Sequence, residues 1–168
     1  MTGAVVWFTG LPASGKTTLA KKLRGDLTAA GTACCLLDSD QLRELLPALG
    51  YDQQGRRQFY ETLAGLAALL ADQGLVCLVA ATAPLQVYRD RARELCPRFV
   101  AVYVDTPLET CRQRDPKRLY ASADQGQVTE LPGVGAPFEP PLAPDVTIRD
   151  YSDPAKRELL ARIAAARA

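Results

Sequence analysis

Residues 10–17 read Gly-Leu-Pro-Ala-Ser-Gly-Lys-Thr, and no other stretch limits the possible folds of this chain as sharply. The run matches G-x-x-x-x-G-K-[ST], a loop whose backbone N–H groups wrap nucleotide phosphates. Its flanks suit that use. Val5-Val6-Trp7-Phe8-Thr9 is a β-branched and aromatic run that predicts a strand, and residues 18–23, Thr-Leu-Ala-Lys-Lys-Leu, predict a helix. Strand, glycine loop and helix together bring the orphan N–H groups and positive dipole end of a helix onto an anion. Gly10, Ala13, Ser14, Gly15 and Thr18 then form the cradle. Lys16 reaches the β- and γ-phosphates, and the Thr17 hydroxyl can ligate Mg²⁺. The pattern implies a protein that binds a nucleoside triphosphate.

The alternation continues along the chain. Short apolar runs predict strands at 4–9, 33–37, 75–80, 99–104 and 145–148, separated by helical stretches at about 16–30, 40–47, 55–73, 85–95, 107–114 and 153–167. Alternating elements with continuously apolar strands imply an α/β fold, a mostly parallel five-stranded sheet in a three-layer α/β/α arrangement. In such sheets ligands sit beyond the carboxyl ends of the strands. The loop at 10–17, Asp38-Ser39-Asp40, Thr82-Ala83-Pro84 and Asp105-Thr106-Pro107 all follow a predicted strand, so they are expected to line one crevice. From about 115 to 144 the period lapses and six of the twelve prolines gather. Bordered by Arg112, Arg114, Lys117 and Arg118, this segment is expected to be a lid, mobile near 118–140 without ligand; a solvated basic loop is the alternative.

At 168 residues the chain is expected to form one domain. A net charge of +1 gives no argument for nucleic acid or an anionic membrane, neither of which is expected as partner, and no apolar stretch reaches the roughly 18 residues of a membrane span. The first strand begins almost at once, leaving no room for a signal peptide. Five cysteines without a C-x-x-C pair read as reduced structural thiols of a cytoplasmic protein. Histidine and asparagine are absent altogether. Imidazole bases and His-metal sites are therefore excluded, as is the N-K-x-D guanine reader of GTPases, and any general base must be a carboxylate. Asp38 and Asp40, at the end of the second strand, are the carboxylates in place, since Ala80-Ala81-Thr82 at the end of the third supplies none. One of them is expected to take the proton of the attacking hydroxyl or to hold Mg²⁺ through water; helix capping is the alternative use.

Longer blocks carry a resemblance. Trp7-Phe8-Thr9-Gly10-Leu11 with Gly15-Lys16-Thr17-Thr18, Leu36-Leu37-Asp38-Ser39-Asp40-Gln41-Leu42-Arg43, Gly50-Tyr51 with Arg56, Tyr103-Val104-Asp105-Thr106-Pro107-Leu108-Glu109-Thr110-Cys111, Arg114-Asp115-Pro116-Lys117-Arg118-Leu119-Tyr120 and Pro137-Phe138-Glu139 with Pro141 together resemble the adenylylsulfate kinase family, in family order and over nearly the whole chain. The resemblance implies a homodimeric kinase with a closing lid that uses MgATP to phosphorylate the 3′-hydroxyl of adenylylsulfate, in sulfate assimilation. It implies that Lys16, Asp38 and Asp40 are catalytic, that Thr17 and Asp38 serve the metal, and that Arg114 and Lys117 close over the transferred phosphoryl group. Asp40, Arg43, Tyr51, Arg56, Thr82, Pro84 and Leu131 would hold the acceptor, with Arg43 and Arg56 clamping its anion.

Departures from the family pattern cluster on the acceptor side. Gln41 and Phe59 stand where the family has asparagine, Glu61 and Asp124 where it has arginine, Ala121 and Ser122 where it has lysine, and Leu131 where it has a stacking phenylalanine. With this alignment the acceptor pocket and lid are expected to be more negative by about six charges. That admits an alternative: a kinase of the same fold with a less anionic small-molecule or nucleotide acceptor. A nucleotide-binding module without catalysis is the alternative of another class, weighed against by the intact Lys16 and Asp38.

Overall fold

The computed structural model describes residues 2–46 and 49–168. Five strands form one fully parallel sheet in the order β2-β3-β1-β4-β5: β1 (Ala4–Thr9), β2 (Cys34–Asp38), β3 (Val76–Ala80), β4 (Phe99–Val104) and β5 (Val146–Ile148). The helices are α1 (Lys16–Ala29), α2 (Ser39–Leu45), α3 (Gln53–Asp72), α4 (Gln86–Leu95), α5 (Leu108–Arg114), α6 (Leu119–Asp124) and α7 (Asp153–Arg167). Each expected element is present with ends displaced by one or two residues. The expected extension of the second helix to residue 47 lies outside the described residues.

β1 is buried along its whole length because it is sandwiched twice, between β3 and β4 in the sheet and between helices above and below. The alternation of its side chains assigns the layers. Val6 and Phe8 pack with Leu19 and Leu23 of α1 and Leu159 and Ile163 of α7. Val5 and Trp7 point the other way, against Phe59, Leu63 and Ala67 of α3 and Tyr88 of α4. The chain leaves β1 toward β2, while β4 and β5 add on the opposite side. The carboxyl end of β1 is thus where the winding reverses, the place where such sheets open a crevice.

The expected lid is more structured than its composition suggests. α6 supplies too short an apolar face to register as a period, yet Tyr120 is 1% exposed and joins Cys111 and Leu131 in a small cluster with Leu11 and Ala13 beneath the glycine loop. Its hydroxyl donates to the Pro12 carbonyl (2.8 Å), and Asp115 caps α6 by accepting from the Tyr120 and Ala121 N–H groups (3.2 and 3.0 Å). The far end of the segment is fastened as well. Arg89, 5% exposed on α4, donates to the Ala83 carbonyl (2.6 Å) and the Glu139 carbonyl (2.6 Å). Tyr120→Phe removes the one side-chain donor that the described residues give to the buried Pro12 carbonyl. It should cost about 1–2 kcal/mol and lower the melting temperature by about 2–6 °C, read by calorimetry; an unchanged melting temperature would mean that α6 does not hold the loop.

Candidate active site

The glycine loop is shaped by sterics before chemistry. A side chain at Gly10 would meet the Val104 carbonyl at 2.7 Å and Ser14 Oγ at 2.8 Å, so β1 can turn against β4 only through glycine. Ala13 (φ 60°) and Gly15 (φ 102°) take left-handed conformations, the former at a strain cost that a loop fixed on all sides can carry. Those fixings are present: Ser14 N–H donates to Leu11 O (3.1 Å), and Thr106 Oγ1 donates to Ser14 O (2.8 Å). The result is an α1 whose N-cap residue, Gly15, offers no side-chain cap, leaving the first N–H groups facing the cleft. Lys16 Nζ donates to the Gly10 (3.0 Å) and Leu11 (2.8 Å) carbonyls, so its charge is folded across the loop. Burial lowers its pKa from 10.5 to about 8, opposed by the charges of Asp40 and Asp38.

Across the cleft, Asp38 ends β2 and joins the two halves of the site. Its Oδ2 accepts from Thr17 Oγ1 (2.5 Å), and its Oδ1 accepts from the Asp40 N–H (2.9 Å) as the N-cap of α2. Asp38 thus also serves the alternative use, helix capping, because the carboxylate at the strand end lies over the first turn of the helix. Asp40 forms an ion pair with Lys117 from the lid side. Arg114 reaches the Ser14 carbonyl (3.3 Å). Arg56 donates through Nε to Tyr51 O (2.6 Å) and through Nη2 to Glu130 O (3.1 Å), and pairs with the Glu130 carboxylate at 3.5 Å. Arg43 donates to the Leu49 and Gly50 carbonyls (2.8 and 3.0 Å) and stacks on aromatic rings. Thr82 accepts from Thr9 through its carbonyl (2.6 Å), and the Pro84 carbonyl accepts from Glu139 N–H (2.8 Å), so the loop after β3 is tied both to β1 and to the lid's end.

These elements enclose one cleft of about 1180 Å³, beyond the upper end of the usual range of about 300–1,000 Å³ for a single small-molecule site. Ala13, Ser14, Gly15, Lys16, Thr17 and Thr18 line it with Arg114 and Lys117; Asp38 and Asp40 line it beside them, as do Arg43, Tyr51, Arg56, Thr82 and Pro84; Leu131 also lines it, but packs with Leu11 and Ala13 beneath the glycine loop and so stands apart from the other expected acceptor residues. Gly10 lies under the loop instead of on the cleft wall. Sequence reasoning did not reach Tyr60, Glu130 or the Arg149-Asp150-Tyr151 run, which also line the cleft. The last of these follows β5 and was open to discovery by the rule that loops at carboxyl strand ends bind ligands. Glu130 had no signal, because only the lid's path over Arg56 gives it a partner.

Two of the departures that suggested a more negative pocket face elsewhere. Glu61 lines a separate shallow pocket between α3 and α4, within 3.7 Å of Arg57 and 3.6 Å of Arg91. Asp124 takes both oxygens to Arg112, at 3.0 and 2.9 Å. One helical position separates Glu61 from Tyr60, and it turns the carboxylate out of the cleft. The expected surplus of negative charge is largely neutralised in place.

Comparison with known proteins agrees with this geometry. The sequence profile described as adenylylsulphate kinase matches residues 2–149. Adenylyl-sulfate kinases of Paraburkholderia xenovorans (43% identity over 87% of this chain and 83% of the relative) and Clostridium acetobutylicum (39% over 90% and 76%) are similar in sequence. Among solved structures, the Mycobacterium tuberculosis APS kinase CysC in complex with AMPPNP and APS superimposes with a TM-score of 0.91 at 37% identity, over 97% of this chain and 98% of that one. With a phosphate loop, a paired acidic centre and a cleft roomy enough for two ligands, the chain belongs to the adenylylsulfate kinase family and is an ATP-using kinase that phosphorylates an alcohol hydroxyl.

Proposed function

We propose that the acceptor is adenylylsulfate and that the product is 3′-phosphoadenylylsulfate. The observation that carries this reading is the division of one cleft into a phosphate-binding end and an end with two arginines, Arg43 and Arg56, meeting at Asp38 and Asp40. ATP lies with its phosphates in the glycine loop and under Arg114 and Lys117. The ribose 3′-oxygen attacks the γ-phosphorus in line, the bond to the β–γ bridging oxygen breaks, and ADP leaves. The hydroxyl proton passes to a carboxylate; Asp40 orients the hydroxyl and Asp38 is base or partner of a metal-bound water. Lys16 and the loop N–H groups meet charge as it moves onto the bridging oxygen, and such positioning supplies most of the acceleration. The Thr17 hydroxyl and Asp38 Oδ2, 2.5 Å apart, are hard oxygens of the kind that would hold Mg²⁺ together with phosphates and water. Held by the Thr17 hydroxyl and by Asp38, directly or through water, Mg²⁺ would offset the negative charge of the phosphates. The family likeness further supports one kinase domain with 115–144 as its lid and a homodimer, and the free cysteines suit a cytoplasmic setting.

A less anionic acceptor is the second reading. Glu130 is the observation in its favour, since its carboxylate already occupies Arg56. The two readings separate on Glu130→Gln. For adenylylsulfate, releasing Arg56 from an exposed pair should lower the acceptor KM about two- to fivefold, whereas an uncharged acceptor should gain nothing.

The direct test is ADP release from MgATP with adenylylsulfate, run beside Lys16→Ala. Turnover at micromolar acceptor, lost by at least about a hundredfold in the variant, is expected; background ADP release with ATP still raising the melting temperature would reject adenylylsulfate. The lowered pKa of Lys16 adds a pH dependence. Bound phosphates favour the ammonium form, so the complex holds a proton that the free protein loses above pH 8. Calorimetric ATP affinity should therefore fall about tenfold between pH 7 and 9, with proton uptake from buffer, and Lys16→Met should flatten the profile.

A further inference from the structure

Phe59 of α3 has no part in the chemistry above, yet it lies directly behind it. Its ring is 1% exposed, and the Arg43 guanidinium carbon stands 3.7 Å from the ring centroid. The Tyr51 ring lies 4.6 Å from the same carbon. Arg43 spends Nη1 on the Leu49 and Gly50 carbonyls; among the described residues its Nε and Nη2 donate to no protein group, and the residue lines the acceptor end of the cleft. Stacking through its face holds a guanidinium in orientation without consuming in-plane N–H donors. A hydrogen-bonding side chain in the same place would compete for those donors. The next residue of α3 serves the same end of the cleft: Tyr60 Oη accepts from the Ala83 N–H (3.1 Å), which steadies the loop carrying Thr82 and Pro84.

We propose that Phe59 is a positioning residue for the acceptor: its ring sets the plane of Arg43 so that the free guanidinium edge meets the acceptor's phosphate or sulfate oxygens. This rests on the reading of Arg43 as part of the acceptor clamp. It also gives a use to the aromatic ring at a position where the family pattern has asparagine.

The test is steady-state kinetics with MgATP and adenylylsulfate on Phe59→Leu, Phe59→Tyr, Arg43→Ala and the Phe59→Leu/Arg43→Ala double variant. Phe59→Leu should raise the acceptor KM about 3- to 10-fold, with kcat and the KM for ATP moving less than twofold, while Phe59→Tyr, which keeps the ring face, stays near the parent. Arg43→Ala should raise the acceptor KM more, and adding Phe59→Leu to it should change nothing further. If Phe59→Leu still raises the acceptor KM on the Arg43→Ala background, or shifts kcat and both KM values together, the ring acts by packing alone and the inference is overturned. If Arg43→Ala leaves the acceptor KM unchanged, the clamp reading itself fails. Should Phe59→Leu not fold, Phe59→Met gives the same comparison with a non-aromatic side chain of similar size.

Discussion

At the end of β1 the backbone passes so close to the Val104 carbonyl that no side chain fits at residue 10. From that contact the rest follows. A glycine there lets the chain turn back over its own strand, the left-handed Ala13 and Gly15 complete the turn, and α1 begins with its N–H groups uncapped. The sheet keeps the turn rigid because β1 is central, paired on both edges and covered on both faces. Thr106 beyond β4 and Tyr120 of α6 then hold the loop from the outside through its own carbonyls. A phosphate arriving there meets donors already in position, which is the economy of preorganisation: little reordering is left to do when charge moves.

Several polar and charged groups of the cleft are paired with one another or with the backbone. Lys117 is with Asp40, Arg56 with Glu130, Thr17 with Asp38, and Lys16 with the loop carbonyls. Under the proposed function, two of these partners are groups that a substrate would replace: phosphate for the carbonyls at Lys16, and an acceptor anion for Glu130. The acidic centre and the basic lid thus hold one another at a separation set by the protein, at little cost in a half-exposed site. Catalysis on this frame is an exchange of partners more than a creation of contacts.

The fold was legible because its signals are physical necessities. A parallel sheet buried on both faces must read as continuous apolar strands, and a phosphate loop must place glycine where the backbone turns. What the chain failed to disclose is direction. Glu61 lies two residues from Phe59 and one from Tyr60, yet Phe59 backs Arg43, Tyr60 lines the cleft and Glu61 turns outward to Arg57 and Arg91. A tally of charges along the sequence assigned all such positions to one pocket, and only their angular positions around α3 separate them. α6 escaped for another reason, since a six-residue helix spans less than two turns and its single large buried side chain, Tyr120, makes no period. Arg89 and Glu139 are fifty residues apart, and nothing local announces that they meet.

The two fastenings of the 115–144 segment divide it unequally. α6 and Leu131 are sunk beneath the glycine loop, and Glu139 is bound to α4 through Arg89, so the span left between the fastenings runs only from Pro132 to Phe138. Neither fastening depends on how long that span is. Doubling the length of a flexible connection costs only about 0.6 kcal/mol in closure entropy, far less than disturbing a strand or the glycine loop. Insertions and deletions between the two anchors are therefore a route by which descendants of such a chain can enlarge, shrink or reshape the space for their second substrate while the apparatus that handles the triphosphate is inherited intact.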